Sequence, residues 1–224
     1  MAKTTSPNIV VIMTDQQRFD STGASGSEWM QTPNIDRIAS EGVDFSECFC
    51  AAPSCVPSRA SFFTCMYPHE IGVFHNGDAW TPSWVNLFKD AGYHTVNIGK
   101  MHTVPIDQTG GFDQRYIVEN KDRPLKFEKP HGVFLDEWDK FLNNSGKTKP
   151  GRQNYRDHHP LYETSLGAYD WELEERYHSD VFVGTMAEWF LDQRKAETPL
   201  FLQIGFPGPH PPFDPPKRWV EMYK

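Results

Sequence analysis

The run NIVVIM at residues 8–13 is unbroken in apolar, mostly β-branched side chains and stops abruptly at TDQQRFD. A short run without alternation suits a strand covered on both faces, so it predicts a buried strand with Asp15 just beyond its carboxyl end. PLFLQIGF (199–206) and HTVNIG (94–99) read the same way, and VDFSECF (43–49) reads as a shorter strand. The segments between them have helical spacing. In TPNIDRIASEG, Thr32 caps, Pro33 takes the first helical position, Ile35, Ile38 and Ala39 share a face, and Gly42 stops the helix. Further helices are predicted from about Pro57, over PSWVNLFKDAG up to Gly92, and over residues 172–195 as one long amphipathic element. Helices alternating with buried strands specify an α/β sandwich with a mostly parallel central sheet flanked by helices. Ligands of such sheets bind beyond the carboxyl ends of the strands. Four exits are therefore candidates: Asp15, the loop holding Cys55, GKMH at 99–102 and FPGPHPPF at 206–213.

Between the third and fourth exits, residues 105–171 are rich in Gly, Pro, Asn and charged residues and read as a long loop-rich excursion with one helix, FLDEWDKFLNN. The PGPHPPFDPP segment, with six prolines in ten residues, reads as a polyproline spacer. A length of 224 residues allows one sizeable core, or a domain and a half. No apolar run reaches eighteen residues and the N-terminus shows no leader pattern, so the expectation is a soluble, cytoplasmic protein with no membrane partner. A net charge of −8 and a pI near 5.6 argue against nucleic acid, which requires a basic face. Four cysteines are too few for a disulfide scaffold and are expected to be reduced thiols. Their spacings follow no zinc pattern.

Cys55 lies in APSCVPSRASFFTCMYPHEIGV, residues 52–73, where Pro57 pre-sets a first helical turn. The cysteine is thus expected at or just before a helix N-terminus, where unpaired N–H groups favour an anion and lower a thiol's pKa. A reactive thiolate, a phosphate-loop-like nucleophile and a modified residue all fit that position. Arg59, one turn on, would face the same anion.

CVPSR also resembles the C-x-P-[SA]-R signature of the type I sulfatases, members of the alkaline phosphatase superfamily. Further segments in family order extend the resemblance: NIVVIMTDQQRFD, TPNIDRIASEGVDF, AGYHTVNIGKMH and FPGPHPPF. It runs from about residue 8 to the end, interrupted by the 105–171 region. What the resemblance implies is a sulfatase-like sandwich and hydrolysis of small-molecule sulfate esters. In that family a formylglycine-generating enzyme oxidises the motif cysteine, here Cys55, to an aldehyde whose hydrate is the nucleophile. The resemblance assigns Arg59 to holding the hydrate, Lys100 to a sulfate oxygen, and His102 to the proton of the second hydroxyl. It also implies that His210 would face the leaving oxygen and that Asn76 would be a polar neighbour of the nucleophile and substrate. One divalent cation, calcium or manganese, with magnesium as a further option, would be held by Asp15, Gln16 and the residue-55 hydroxyl.

Many sulfatases have Asp where this chain has Gln16. That departure is shared with phosphonate monoester hydrolases and choline sulfatases. Phosphonate monoester or phosphodiester hydrolysis on the same scaffold is therefore the alternative activity, and a non-catalytic fragment of the fold is a second alternative. The family also brings further metal ligands and a Lys from a later strand, and Asp214 in its proline-rich loop is a poor substitute. The expectation is that residues 1–224 are the N-terminal part of a catalytic domain, completed by the C-terminal remainder of the same protein. The last strand, ending near Phe206, would then lack one neighbour; a homo-oligomer is compatible with this. The other histidines, His178 among them, are assigned no role.

Overall fold

The computed structural model describes residues 6–81, 84–119, 127–129, 132–150, 155–157, 163–164, 167–195 and 197–223. Its main sheet has four strands in the order β1 (Ile9–Met13), β6 (Leu200–Gly205), β2 (His94–Gly99) and β3 (Gln114–Ile117), all parallel. A short antiparallel pair, β4 (Phe127–Lys129) and β5 (Gly132–Phe134), stands apart. The helices are α1 (Pro33–Glu41), α2 (Cys55–Thr64), α3 (Pro68–Ile71), α4 (Val85–Asp90), α5 (Glu137–Asn144), α6 (Ser179–Gln193) and α7 (Lys217–Glu221). This is the expected α/β sandwich with a parallel sheet. Among the described residues no helix is long and apolar enough to cross a membrane.

The two faces of β2 and β6 are filled differently. On one, Val96, Ile98, Leu200, Leu202 and Ile204 pack against Phe182, Val183 and Phe190 of α6 and Trp138 and Leu142 of α5. On the other, Phe201 meets Val56, Ala60 and Phe63 of α2 and Val85 of α4. Each such side chain contributes about 1.5–3 kcal/mol by leaving water. Polar residues also line the second face. Asn97 Nδ2 donates to Gln203 Oε1, and Arg115 Nε donates to Asn97 Oδ1 at 2.9 Å. Arg115 Nη1 then reaches Thr103 Oγ1 at 3.1 Å and the Ile106 carbonyl at 3.2 Å, fastening the loop that follows β2. Burial pushes the Arg115 guanidinium down to about 10, against the pull of Glu119 and Asp107.

The register sets the strand ends level. Met13, Gly205 and Gly99 are partners across β1, β6 and β2, so three exits open side by side. Hydrogen bonds continue past the strands, from Phe206 N to Met13 O at 2.8 Å and from Lys100 N to Gly205 O at 2.7 Å. Glycine is required at both Gly99 and Gly205. Gly99 has φ +95, and a Cβ there would lie 2.1 Å from Gly205 O; a Cβ on Gly205 would lie 2.0 Å from Lys100 O.

Five expectations are corrected. β1 is an edge strand with an open face, Val10 and Ile12 being 49% and 57% exposed, so its continuous apolar run does not mean two-sided burial. Residues 43–49 form no strand. Val43, Phe45 and Phe49 are exposed, and among the described residues no ladder partner takes their backbone groups. β6 does not lack a neighbour, because it sits between β1 and β2; among the described residues the sheet edges are β1 and β3. β3 was not anticipated, since QRYI is four residues long and carries little apolar signal. The helix expected over 172–195 splits into a single 3-10 turn, Glu175–Tyr177, and α6, with His178 capping between them. The imidazole there accepts from Asp180 N, a capping role outside the usual Ser, Thr, Asp and Asn.

Candidate active site

The exit of β1 presents Asp15, 4% exposed, whose own N–H donates to Gly208 O at 3.0 Å. Its Oδ2 receives two cations: Arg59 Nη2 at 3.1 Å and Lys100 Nζ at 2.5 Å. Arg59 Nη1 also donates to the Lys100 carbonyl at 2.9 Å, so the guanidinium joins α2 to the β2 exit. Lys100 is fully buried. Burial pushes the Asp15 carboxyl up, but the charges of Lys100 and Arg59, the Lys100 hydrogen bond and His210 outweigh it and hold the group below the ordinary carboxylate range. Asp15 is therefore an anion with two fixed counter-charges.

Its other oxygen, Oδ1, faces Cys55 Sγ at 3.5 Å. Cys55 is the first residue of α2, two positions earlier than expected, with Ser54 as the cap. Pro57 then sits in the first turn, where a missing N–H costs nothing. The expectation of a lowered thiol pKa is overturned. Burial, together with the Asp15 charge and hydrogen bond, pushes the Cys55 thiol up despite the opposing charges of Lys100 and Arg59. An unmodified Cys55 is thus a protonated, weak nucleophile. Asn76 contributes as a remote cap: its Oδ1 accepts from Val56 N at 3.0 Å and from Ser54 Oγ at 2.8 Å.

His210 approaches from the β6 exit. One ligand-type atom from each of Asp15, Cys55 and His210 lies within 4.8 Å of the others, the one such group among the described residues. His210 Nδ1 is 2.6 Å from the Pro211 carbonyl. A carbonyl only accepts, so Nδ1 carries a proton and Nε2 is the basic atom of the neutral ring. His102 is 4% exposed with φ 58, a left-handed conformation rarely taken by a non-glycine residue. Its N–H donates to Glu119 Oε1 at 3.0 Å and its carbonyl accepts from Trp80 Nε1 at 3.4 Å. Gln16, also at φ 58, is exposed on the wall of a cavity of about 730 Å³ that Asp15, Cys55, Arg59, Phe62 and Tyr67 help to line.

The structure thus brings Asp15, Cys55, Arg59, Lys100 and His210 into one cluster, with Asn76 at the start of α2, Gln16 on the cavity wall, and His102 two residues beyond Lys100 with its backbone tied to Glu119 and Trp80. Sequence reasoning missed Gly208 and Asp180, which tie the loop of His210 to Asp15 and α6, and Glu119, which accepts from His102 N. Glu119 lies in the segment read as irregular, and Asp180 lay within a helix assumed to run unbroken. The HSD triplet at 178–180, a run of small and polar residues, was the available signal for a helix start.

A family model described as Sulfatase matches residues 7–224. The chain belongs to the sulfatase family. It is 35% identical over 226 residues to an arylsulfatase of Clostridium perfringens, covering 97% of this chain and 46% of that protein. A choline-sulfatase of Rhizobium meliloti is 25% identical over 232 residues, covering 99% of this chain and 42% of that protein. The solved phosphonate monoester hydrolase of Agrobacterium radiobacter superposes with a TM-score of 0.69 at 23% identity, covering 98% of this chain and 44% of that one. The chain therefore spans less than half the length of these relatives, and it shares the fold of the solved phosphonate monoester hydrolase.

Proposed function

We propose that this sulfatase-family chain serves the hydrolysis of sulfate esters by a formylglycine hydrate at position 55. The observation that carries the reading is Asp15, held between Cys55 on one oxygen and Lys100 with Arg59 on the other. One buried carboxylate thereby gathers a nucleophile position and two cations at a helix N-terminus, where a tetrahedral anion is stabilised. The raised thiol pKa supports a modified residue over a thiolate.

In the proposed sequence one hydroxyl of the gem-diol, having given its proton to water, attacks the ester sulfur and the S–O bond to the alcohol breaks. Lys100 stabilises charge on the sulfate oxygens. The departing oxygen takes a proton from His210, which must be imidazolium to donate from Nε2. His102 then accepts the proton of the second hydroxyl, the carbonyl re-forms, and the C–O bond to sulfate breaks. Water rehydrates the aldehyde. Two hydroxyls on one carbon let the residue regenerate itself, which a serine or cysteine cannot do.

The donor set also fits a divalent cation. Asp15 Oδ1 is turned away from the two cations and toward residue 55, where hydration of an aldehyde would replace sulfur with hard oxygen. Asp15, the residue-55 hydroxyl and Gln16 would hold calcium, manganese or magnesium, which when bound would lower the hydroxyl's pKa and neutralise the ester anion. Gln16 and the fold shared with a phosphonate monoester hydrolase keep that second activity in view. The test is a comparison of kcat/KM for an aryl sulfate and the matching aryl phosphonate monoester. We expect preference for the sulfate; preference for the phosphonate would transfer the reading to the second activity.

A further inference from the structure

His210 sits in a segment whose composition suggests a spacer, yet both ends of that segment are tied to the first turn of α6. Gly208 N donates to Asp180 Oδ1 at 2.8 Å. The carbonyl of the same residue accepts Asp15 N at 3.0 Å. One glycine thus joins the start of α6 to the residue that organises the cluster, two positions before His210. Space there is fully used, since a Cβ on Gly208 would lie 2.1 Å from Asp180 Oδ2. Four residues beyond His210, Asp214 Oδ1 lies 3.5 Å from His178 Nε2. His178 is itself fixed, with Nδ1 accepting Asp180 N at 3.3 Å and its ring set edge-on against Trp171 at 5.1 Å. α6 is anchored in the core through Phe182, Val183, Ala187 and Phe190.

We propose that Asp180 is a positioning residue that sets His210 and Asp15 relative to each other through Gly208, with the far end of the loop held by the Phe213 carbonyl, which accepts Tyr169 N at 3.0 Å, and by the contact of Asp214 with His178. A loop of prolines limits its own backbone but does not choose where it stands on the sheet; two anchor points on a packed helix do. The consequence for turnover rests on the reading of His210 as the group facing the leaving oxygen. The placement of the loop does not.

The experiment compares the full protein with Asp180→Ala, Asp180→Asn and Gly208→Ala by hydrogen exchange and by steady-state kinetics on an aryl sulfate. Asparagine keeps an acceptor for Gly208 N, whereas the Gly208 methyl drives into Asp180. In Asp180→Ala and Gly208→Ala we expect exchange over residues 206–214 to rise about tenfold or more, with 200–205 unchanged. kcat should fall by roughly 10- to 100-fold, the scale of a misplaced catalytic group, with KM shifting far less. Asp180→Asn should recover most of the loss. In a His210→Ala background, Asp180→Ala should cost less than about threefold more, because the two act as a unit. Unchanged exchange over 206–214, equal losses for Ala and Asn, or additive losses with His210→Ala would each overturn the proposal. If the alanine variant is too unstable to assay, Gly208→Ala decides by the same readouts. A protein that turns over no sulfate ester would defeat the functional reading, and the exchange comparison would still decide the positioning.

Discussion

The two walls of the site are built in opposite ways. The side from β2 is core: Lys100 is fully buried and reaches Asp15, His102 two residues on is nearly so, and Glu119 holds the His102 backbone. The wall from α2 is open: Cys55 is half-buried, Asn76 and Gln16 are exposed, and the segment leading into α2 packs on little. The positive charge is thus placed by the same packing that makes the fold, and little reorganisation is left when an anion arrives. Position 55 is held by a helix start and a few hydrogen bonds. Substitutions on the buried wall should therefore mix loss of stability with loss of rate, and those on the open wall should separate the two.

The largest effect is expected from Lys100→Ala. Turnover of an aryl sulfate should fall by about 10²-fold or more, the scale for a lost transition-state contact. The denaturation midpoint should fall as well, because Asp15 would stay buried with one of its two cations gone. A rate loss with unaltered stability would break the comparison between the walls.

Deeper in the same wall, Asp136 Oδ2 accepts from Glu119 N at 3.0 Å while capping α5. Burial and the neighbouring Asp139 push its carboxyl up from 3.8 to about 6. The folded protein then binds more protons than the unfolded chain between these values, so stability should fall as pH rises from about 4 to about 6. Asp136→Asn keeps an acceptor and should flatten that slope in urea titrations across the window. A slope that survives the substitution would assign it elsewhere.

The smallest effect belongs to the open wall. Asn76→Ala removes the acceptor for Val56 N and should lower stability by about 1 kcal/mol, the usual worth of a helix cap. Its effect on KM and kcat reports how far the helix start alone orients residue 55.

Much of the sheet was readable because β2 and β6 are buried on both faces and carry short β-prone segments, broken by polar residues of which Asn97 and Gln203 pair with each other across the strands. The same pattern misled at β1 and at 43–49. Apolar sequence there reports surface that the described residues leave open, and periodicity does not say which residues do the covering. The chemistry-bearing residues were legible as types at strand exits. What was not legible is how they are held. Glu119 acts through its contact with His102 N and Asp180 through Gly208 N, and neither pairing, at sequence separations of 17 and 28, leaves a local pattern. The pKa of Cys55 was misjudged for a related reason. The helix terminus is visible in sequence, but burial and the facing Asp15 are not.

The central claim is that position 55 acts as a hydrated aldehyde. Mass spectrometry of the peptide spanning Cys55, on preparations made with and without a formylglycine-generating enzyme, measures aldehyde occupancy directly. Turnover should rise in proportion to that occupancy and vanish where the thiol is intact. Full activity from a preparation in which every Cys55 remains a thiol would contradict it.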